Sequence, residues 1–220
     1  MRTYDQYCAI AMALDAVGDR WTLLIVRELL IQERCRYTDL RNGLPGIASN
    51  LLVDRLRELE ERGIVTREEA PPPIATTLFR LTPRGEALKP VLAALGQWGA
   101  PLLAQAPEHA PFLTHWWVLP LERYLTDHAP ELPSVTLEIR TGDQPIHIQT
   151  IDGAVRAQPG PADDPDAVLS GPPPLIADVL VYGLDLTTAR AKGLDFQGDP
   201  QAVRRVARSR ADVPASALRS

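Results

Sequence analysis

The stretch Gly46-Ile47-Ala48-Ser49-Asn50-Leu51-Leu52-Val53-Asp54-Arg55-Leu56-Arg57-Glu58-Leu59-Glu60-Glu61-Arg62-Gly63-Ile64-Val65 decides the reading of this chain. Leu52, Leu56 and Leu59 recur at helical spacing and Leu51 widens the stripe, so one face is expected to be buried. Ser49 and Asn50 stand at the expected helix start, where their side chains can cap free N–H groups. Gly63 stands where a residue in the left-handed region closes a helix. The opposite face carries Asn50, Val53, Asp54 and Arg57. Alone, this is also the pattern of an ordinary amphipathic surface helix, so the neighbouring segments decide.

Working outward, Asn42-Gly43-Leu44-Pro45-Gly46 is a turn cluster. Before it, Arg34 to Arg41 predicts a brief strand and a short helix starting near Thr38. Earlier still, Cys8 to Val17 predicts a short helix. Arg20 to Leu30 predicts a more apolar one, anchored by Trp21, Leu24, Ile25 and Leu29. Short helix, turn and longer helix with a polar outward face is the helix-turn-helix pattern, whose second helix enters the major groove of DNA. Downstream, Ile64 to Glu68 and Thr77 to Thr82 read as two strands around Pro71-Pro72-Pro73. A hairpin in that place is a wing. Thr82-Pro83-Arg84-Gly85-Glu86 then opens a helix from Ala87 to Gly99, with Leu88, Val91, Leu92, Leu95 and Trp98 on one face.

At 220 residues with 45% apolar content the chain has room for two cores. No apolar run reaches the roughly 20 residues that span a bilayer, and the start lacks an apolar signal core, so a cytoplasmic protein is expected. Cys8 and Cys35 are too few for a disulfide framework or a zinc site. The net charge of −5 lies wholly in the second half, because residues 1–100 hold thirteen basic and thirteen acidic side chains. The composition turns richer in Pro, Gly and Asp near Gln105 to Pro111. The expected division is a domain at 1–104, a linker at 105–119, a second domain at 120–210 and a flexible tail at 211–220.

Cys8-Ala9-Ile10, Gly18-Asp19-Arg20-Trp21-Thr22-Leu23-Leu24-Ile25-Val26-Arg27-Glu28-Leu29, Arg36-Tyr37-Thr38-Asp39-Leu40, Leu44-Pro45-Gly46-Ile47, Leu51 to Val65, Phe79-Arg80-Leu81-Thr82 and Gly96-Gln97-Trp98-Gly99 resemble the HxlR family of bacterial regulators over about residues 5–100. The resemblance implies a homodimeric winged helix-turn-helix regulator whose first and last helices form the dimer interface. Ala48-Ser49-Asn50 departs from the Ser-Pro-Lys common in that family. Relatives commonly carry a cysteine where Cys8 stands, and some sense oxidants through it. Cys8 lies near a helix start, which favours a thiolate, yet a small buried residue is the other reading. Cys35 sits between Arg34 and Arg36, so its thiolate is a further candidate.

For DNA, Arg36, Tyr37, Thr38 and Arg41 are candidates to hold phosphates, which position without reading sequence. Ser49 and Asn50 begin the reading helix, with Val53 and Arg57 on the same face. Asn pairs with adenine and Arg with guanine or a phosphate. Arg67 and Arg80 on the wing strands are candidates to grip the backbone. The wing tip, Pro71 to Thr76, carries no Lys or Arg, so no strong minor-groove contact is expected there.

The second half begins with an aromatic-rich stretch, Trp116 to Leu125, read as helical. Strands follow at Val135–Arg140, Ile146–Ile151 and Gly153–Ala157, the last two joined by an Asp152-Gly153 hairpin. Asp166–Gly171 reads as a fourth strand, Leu175–Tyr182 as a helix, Thr187–Lys192 as a second, Leu194–Gly198 as a strand and Pro200–Arg208 as a last helix. The Asp152-Gly153 hairpin, Asp166 to Gly171, Leu184-Asp185-Leu186-Thr187-Thr188-Ala189 and Phe196-Gln197-Gly198-Asp199-Pro200 resemble a sterol carrier protein type-2-like domain over about residues 120–210. That resemblance implies a sheet and helices around an apolar tunnel for a lipid-like ligand. Ile139, Ile148, Val155, Leu175, Val179 and Leu194 are candidates for its wall or, equally, for a closed core. The fold class is thus α+β, a winged helix-turn-helix domain followed by a sterol-carrier-like α/β domain.

Enzyme chemistry is not expected. The four histidines lack metal-ligand spacing, Asp163-Asp164-Pro165-Asp166 lacks the rest of a calcium loop, and no phosphate loop or nucleophile elbow occurs. No metal or cofactor is expected. The expected function is a homodimeric, sequence-specific DNA-binding regulator modulated by a small apolar ligand. The alternatives are a thiol-based sensor working through Cys8 and a lipid-binding carrier.

Overall fold

The computed structural model describes residues 3–70, 76–107 and 109–209. Backbone contacts divide the chain into two units, Met1–Trp98 and Gly99–Ser220. Among the described residues no helix is long and apolar enough to cross a membrane. The expected wing tip from Pro71 to Ala75 and the expected tail at 211–220 lie outside the described residues.

The first unit runs α1 (Ala9–Val17), α2 (Thr22–Gln32), β1 (Cys35–Arg36), α3 (Tyr37–Asn42), α4 (Ser49–Glu61), β2 (Val65–Glu69), β3 (Thr77–Leu81), α5 (Pro83–Glu86) and α6 (Lys89–Gly99). The strands form one antiparallel sheet in the order β1-β3-β2. β2 and β3 pair from Val65 opposite Leu81 to Glu69 opposite Thr77, which is the expected wing hairpin. Ile25, Val26 and Leu29 of α2 meet Leu40, Leu44, Leu52, Leu56, Leu59, Phe79 and Leu81 in a single core. Each fully buried leucine there contributes about 1.5–3 kcal/mol by leaving water.

Three local expectations change. Leu24 is exposed rather than an anchor of α2. The buried stripe runs through Thr22, Ile25, Val26 and Leu29, and Leu24 lies about 100° from its neighbour Ile25, off that stripe. Ser49 and Asn50 do not cap α4. Ala48 is the N-cap, in extended backbone and without a side-chain bond, and its carbonyl accepts the Leu52 N–H at 3.0 Å. The buried Ile47 anchors the chain just before it, so Ser49 and Asn50 fall inside the first turn. The helix expected from Ala87 to Gly99 begins later, at Lys89. Pro90 has no N–H for the Glu86 carbonyl, so α5 and α6 cannot run together as one helix.

The C-terminus of α4 closes as expected. Gly63 has φ +65°, its N–H reaches the Glu60 carbonyl at 2.9 Å, and the Ile64 N–H reaches the Leu59 carbonyl at 2.9 Å. These are the paired bonds of a Schellman motif.

The second unit carries 3-10 turns at Ala100–Gln105 and Thr114–Trp117, then α7 (Val118–Tyr124). β4 (Thr136–Arg140), β5 (Ile146–Ile151), β6 (Ala154–Pro159), β7 (Ala167–Ser170), α8 (Pro173–Leu180), α9 (Leu186–Ala191), β8 (Asp195–Gly198) and α10 (Pro200–Val206) follow. The sheet order is β6-β5-β4-β7-β8, with β4 and β7 parallel and every other pair antiparallel. Asp152 and Gly153 both take positive φ in the two-residue turn between β5 and β6. Register puts Leu137, Ile139, Ile146, Ile148, Ala157, Ala167 and Leu169 on one face, and all are buried. α7 packs on β6 there and α10 on β4 and β7. The opposite face is mostly polar, with Val168 and Glu138 buried on it, and Glu138 accepts hydrogen bonds from Arg140 and from the Ala162 N–H on the crossing segment before β7.

Candidate functional site

The exposed side of α4 presents Ser49, Asn50, Val53 and Arg57. With no side-chain cap on the helix, its first N–H groups stay available on that side, at the positive end of the helix dipole. The inward side fixes the helix twice over. Leu52, Leu56 and Leu59 are buried, and Arg55 pairs with Asp19 at 2.6 Å and with Glu58. The Tyr37 hydroxyl donates to the Ser49 carbonyl at 2.9 Å, tying α3 to the first turn of α4.

The flanking residues sort by what already holds them. Arg36, Thr38 and Arg41 are exposed, and Arg36, Arg41 and Arg57 form no ion pair among the described residues. Tyr37 is half-buried with its hydroxyl spent on Ser49. Arg67 is clamped by Glu60 through two bonds of 2.6 Å, which hold its guanidinium more firmly protonated than usual. Arg80 lies 3.2 Å from Glu68, which Arg34 approaches at 3.3 Å. Both wing cations are thus already paired with a carboxylate.

One positioning residue was missed in the sequence. Glu28 of α2 is fully buried, and its Oε1 accepts from Arg27 Nε at 3.0 Å and Nη2 at 2.7 Å. Its Oε2 accepts from Gln32 at 3.1 Å, while Arg27 Nη2 also reaches the Gly43 carbonyl at 3.4 Å. This cluster holds α2 against the turn after α3. The visible signal was an acid inside an apolar helix, with Arg beside it and Gln one turn on.

The cysteines divide clearly. Cys8 is exposed, not buried, and the N–H groups of Ala11 and Ile10 hold its thiol below the ordinary value. Cys35 is buried, and burial, then the charges of Glu28 and Asp39, push its thiol up to about 12. The expectation that Arg34 and Arg36 favour a Cys35 thiolate therefore fails.

In the second unit Ile139, Ile148, Val155, Leu175, Val179 and Leu194 are all buried. A cavity of about 520 Å³ lies where α8, α9, β8 and α10 meet. Of the six, Val179 alone lines it. Among the described residues no group of three or more His, Cys, Asp or Glu is placed to hold a metal ion.

Comparison with known proteins bears on the first unit. The family model of the HxlR-like helix-turn-helix matches residues 16–107. An uncharacterised helix-turn-helix transcriptional regulator of Synechocystis is 35% identical over 107 residues, covering 49% of this chain and 78% of that protein. The transcriptional regulator YvaP of Bacillus subtilis is 35% identical over 86 residues, covering 39% of this chain and 79% of its own. Among solved structures, the redox regulator HypR in its oxidised form is similar at 28% identity and a TM-score of 0.40, over 43% of this chain and 96% of that one. With that degree of identity over most of a relative's length, on a chain that folds into helices, turn, reading helix and wing, this protein belongs to the HxlR-like helix-turn-helix family of transcriptional regulators.

Proposed function

We propose that this regulator binds a double-stranded DNA operator as a cytoplasmic homodimer, with no enzymatic step, and that a small apolar ligand in the second unit sets its affinity. The observation that carries the DNA reading is the face of α4. Ser49, Asn50, Val53 and Arg57 are exposed around an N-terminus without a side-chain cap, beside Arg36 and Arg41, which no carboxylate among the described residues holds. Arg36, Thr38 and Arg41 position the DNA backbone, Tyr37 acts with them by holding the first turn of α4 through Ser49, and Ser49, Asn50, Val53 and Arg57 meet base edges. Arg67 and Arg80 add phosphate contacts once released from Glu60 and Glu68. In a dimer joined through α1 and α6, two reading helices about 34 Å apart match half-sites in successive major grooves. Selecting binding sites from random duplexes, then measuring fluorescence anisotropy, tests this. A two-half-site sequence preferred over random DNA is expected; no preferred sequence removes the reading.

The strand order β6-β5-β4-β7-β8, with one central parallel pair and helices on one face, supports a sterol-carrier-like second unit. A ligand there alters operator affinity only if it binds the free and DNA-bound forms unequally. Equal affinity for both removes the coupling.

A second reading rests on Cys8, exposed and with its thiolate favoured by the first turn of α1. In it, oxidation of Cys8 releases the operator. A Cys8→Ser variant that releases DNA on oxidant treatment as the parent does would remove it.

A further inference from the structure

We propose that the cavity between α8, α9, β8 and α10 binds an anionic amphiphile, an apolar tail ending in a carboxylate or phosphate. This rests on the reading of the second unit as a ligand-binding unit and names the chemistry of its ligand. At about 520 Å³ the cavity suits a small organic molecule. Its floor is apolar: Val179 and Val203 are buried, and Leu186 and Phe196 are half-buried. A free inorganic anion needs no such floor.

The rim has the opposite character. Arg190 of α9, Arg204 of α10 and Arg208 just beyond α10 all line the cavity. Arg190 and Arg204 are exposed and form no ion pair among the described residues. The one acid among the lining residues is Asp185. Its oxygens accept from the Thr188 N–H at 2.9 Å and the Thr188 hydroxyl at 2.6 Å, so it is committed to capping α9. Three arginines thus line a cavity with an apolar floor, in the half of the chain that holds all its excess acid. A neutral apolar ligand would gain nothing from them, whereas guanidinium forks match carboxylate and phosphate oxygens.

The backbone that carries Arg204 is fixed. Its neighbour Arg205 grips Asp127 through bonds of 2.7 and 2.9 Å and donates to the Leu132 carbonyl at 3.2 Å. Elsewhere in this unit the sheet core is closed around Ile139 and Ile148.

Isothermal titration of the full chain with decanoate, decyl phosphate, decanol, acetate and inorganic phosphate tests the assignment. A decyl anion is expected to bind at least about tenfold tighter than decanol and than either tail-less anion. The two decyl anions separate a carboxylate head from a phosphate one. The Arg190→Gln/Arg204→Gln variant, with both changes at exposed sites, is expected to lose about tenfold for the decyl anion and keep its weak decanol binding. Decanol binding as tightly as the anions, or anions binding the variant unchanged, overturns the anionic head and leaves an apolar-ligand unit standing. Tail-less anions binding as tightly as the decyl ones overturns the tail. No binding by any decyl probe overturns the ligand-binding reading as well.

Discussion

Glu28 shows how one buried charge holds the reading head together. Its carboxylate is fully enclosed while Arg27 keeps about a fifth of its side-chain exposure at 20%. Neutralising the acid leaves the guanidinium enclosed without its counter-charge, which costs about 3 kcal/mol, the low end for broken buried pairs because Arg27 is partly wet. Glu28→Gln is therefore expected to lower the urea midpoint by that equivalent, and an unchanged midpoint would show that the cluster is not structural. Asp127 gives a pH-dependent counterpart in the second unit. The Arg205 hydrogen bonds hold its carboxyl below the ordinary carboxylate value, with the Ala129 N–H adding to them against the effect of burial. A group depressed in the folded state stabilises above its unfolded value, about 3.9, and loses that contribution as pH falls through the lower folded value. Acid titration of unfolding is expected to show the parent losing more stability below about pH 4 than Asp127→Asn. Equal losses would mean that the clasp does not titrate with folding.

At the scale of elements, α4 is a rigid platform whose outer face is free to vary. Leu52, Leu56 and Leu59 are buried, so trimming one to Ala costs about 2–5 kcal/mol of folding. Arg57→Ala leaves stability within about 0.5 kcal/mol, as surface changes do. It is expected to weaken operator binding by about 1–3 kcal/mol if it reads a base, or to reduce the salt slope by about 1 if it holds a phosphate. Arg67→Ala is expected to weaken binding less than Arg57→Ala or Arg36→Ala, because Glu60 already occupies the Nε–Nη2 edge of its guanidinium. Anisotropy titrations at several salt concentrations rank the three, and Arg67 at the head of that ranking would contradict the assignment. Most of α4 was legible because the spacing of Leu52, Leu56 and Leu59 and the glycine after it are local signals. Its start was not. Ser49 and Asn50 look like caps, but the buried Ile47 and the Tyr37 hydrogen bond to Ser49 set where the helix begins, and both are tertiary. The break before α6 was legible in principle, since Pro90 carries it. The fates of Arg67 and Arg80 were not, because Glu60 and Glu68 lie on other elements. In the second unit the alternation of β4 and β5 gave the sheet away, while the cavity gathers residues from 179 to 209 that share no period.

At the scale of the whole molecule, the apolar side chains left outside bear on the proposed dimer. Ile10 and Met12 on α1 are 73% and 63% exposed, and Val91, Leu95 and Trp98 on α6 are 49%, 47% and 73% exposed. Leu92 of α6 and Leu88 just before it pack against the core of the first unit. Among the described residues Val91, Leu95 and Trp98 of α6 are exposed, and exposed patches of this kind mark interfaces. A two-fold dimer repeats one patch against itself, so the two helices serve twice. Joining two reading heads makes the second half-site contact intramolecular and raises affinity by about 10²–10⁴ without any new base contact. The full chain is accordingly expected to sediment as a dimer, and Leu95→Glu/Trp98→Glu as a folded monomer, since neither residue is in the core. That variant should bind a single half-site as the parent does yet lose about 10²–10⁴-fold on the paired site. A parent that sediments as a monomer, or a monomeric variant that keeps its paired-site affinity, would separate α6 from DNA recognition. It would leave α4 to read its operator alone.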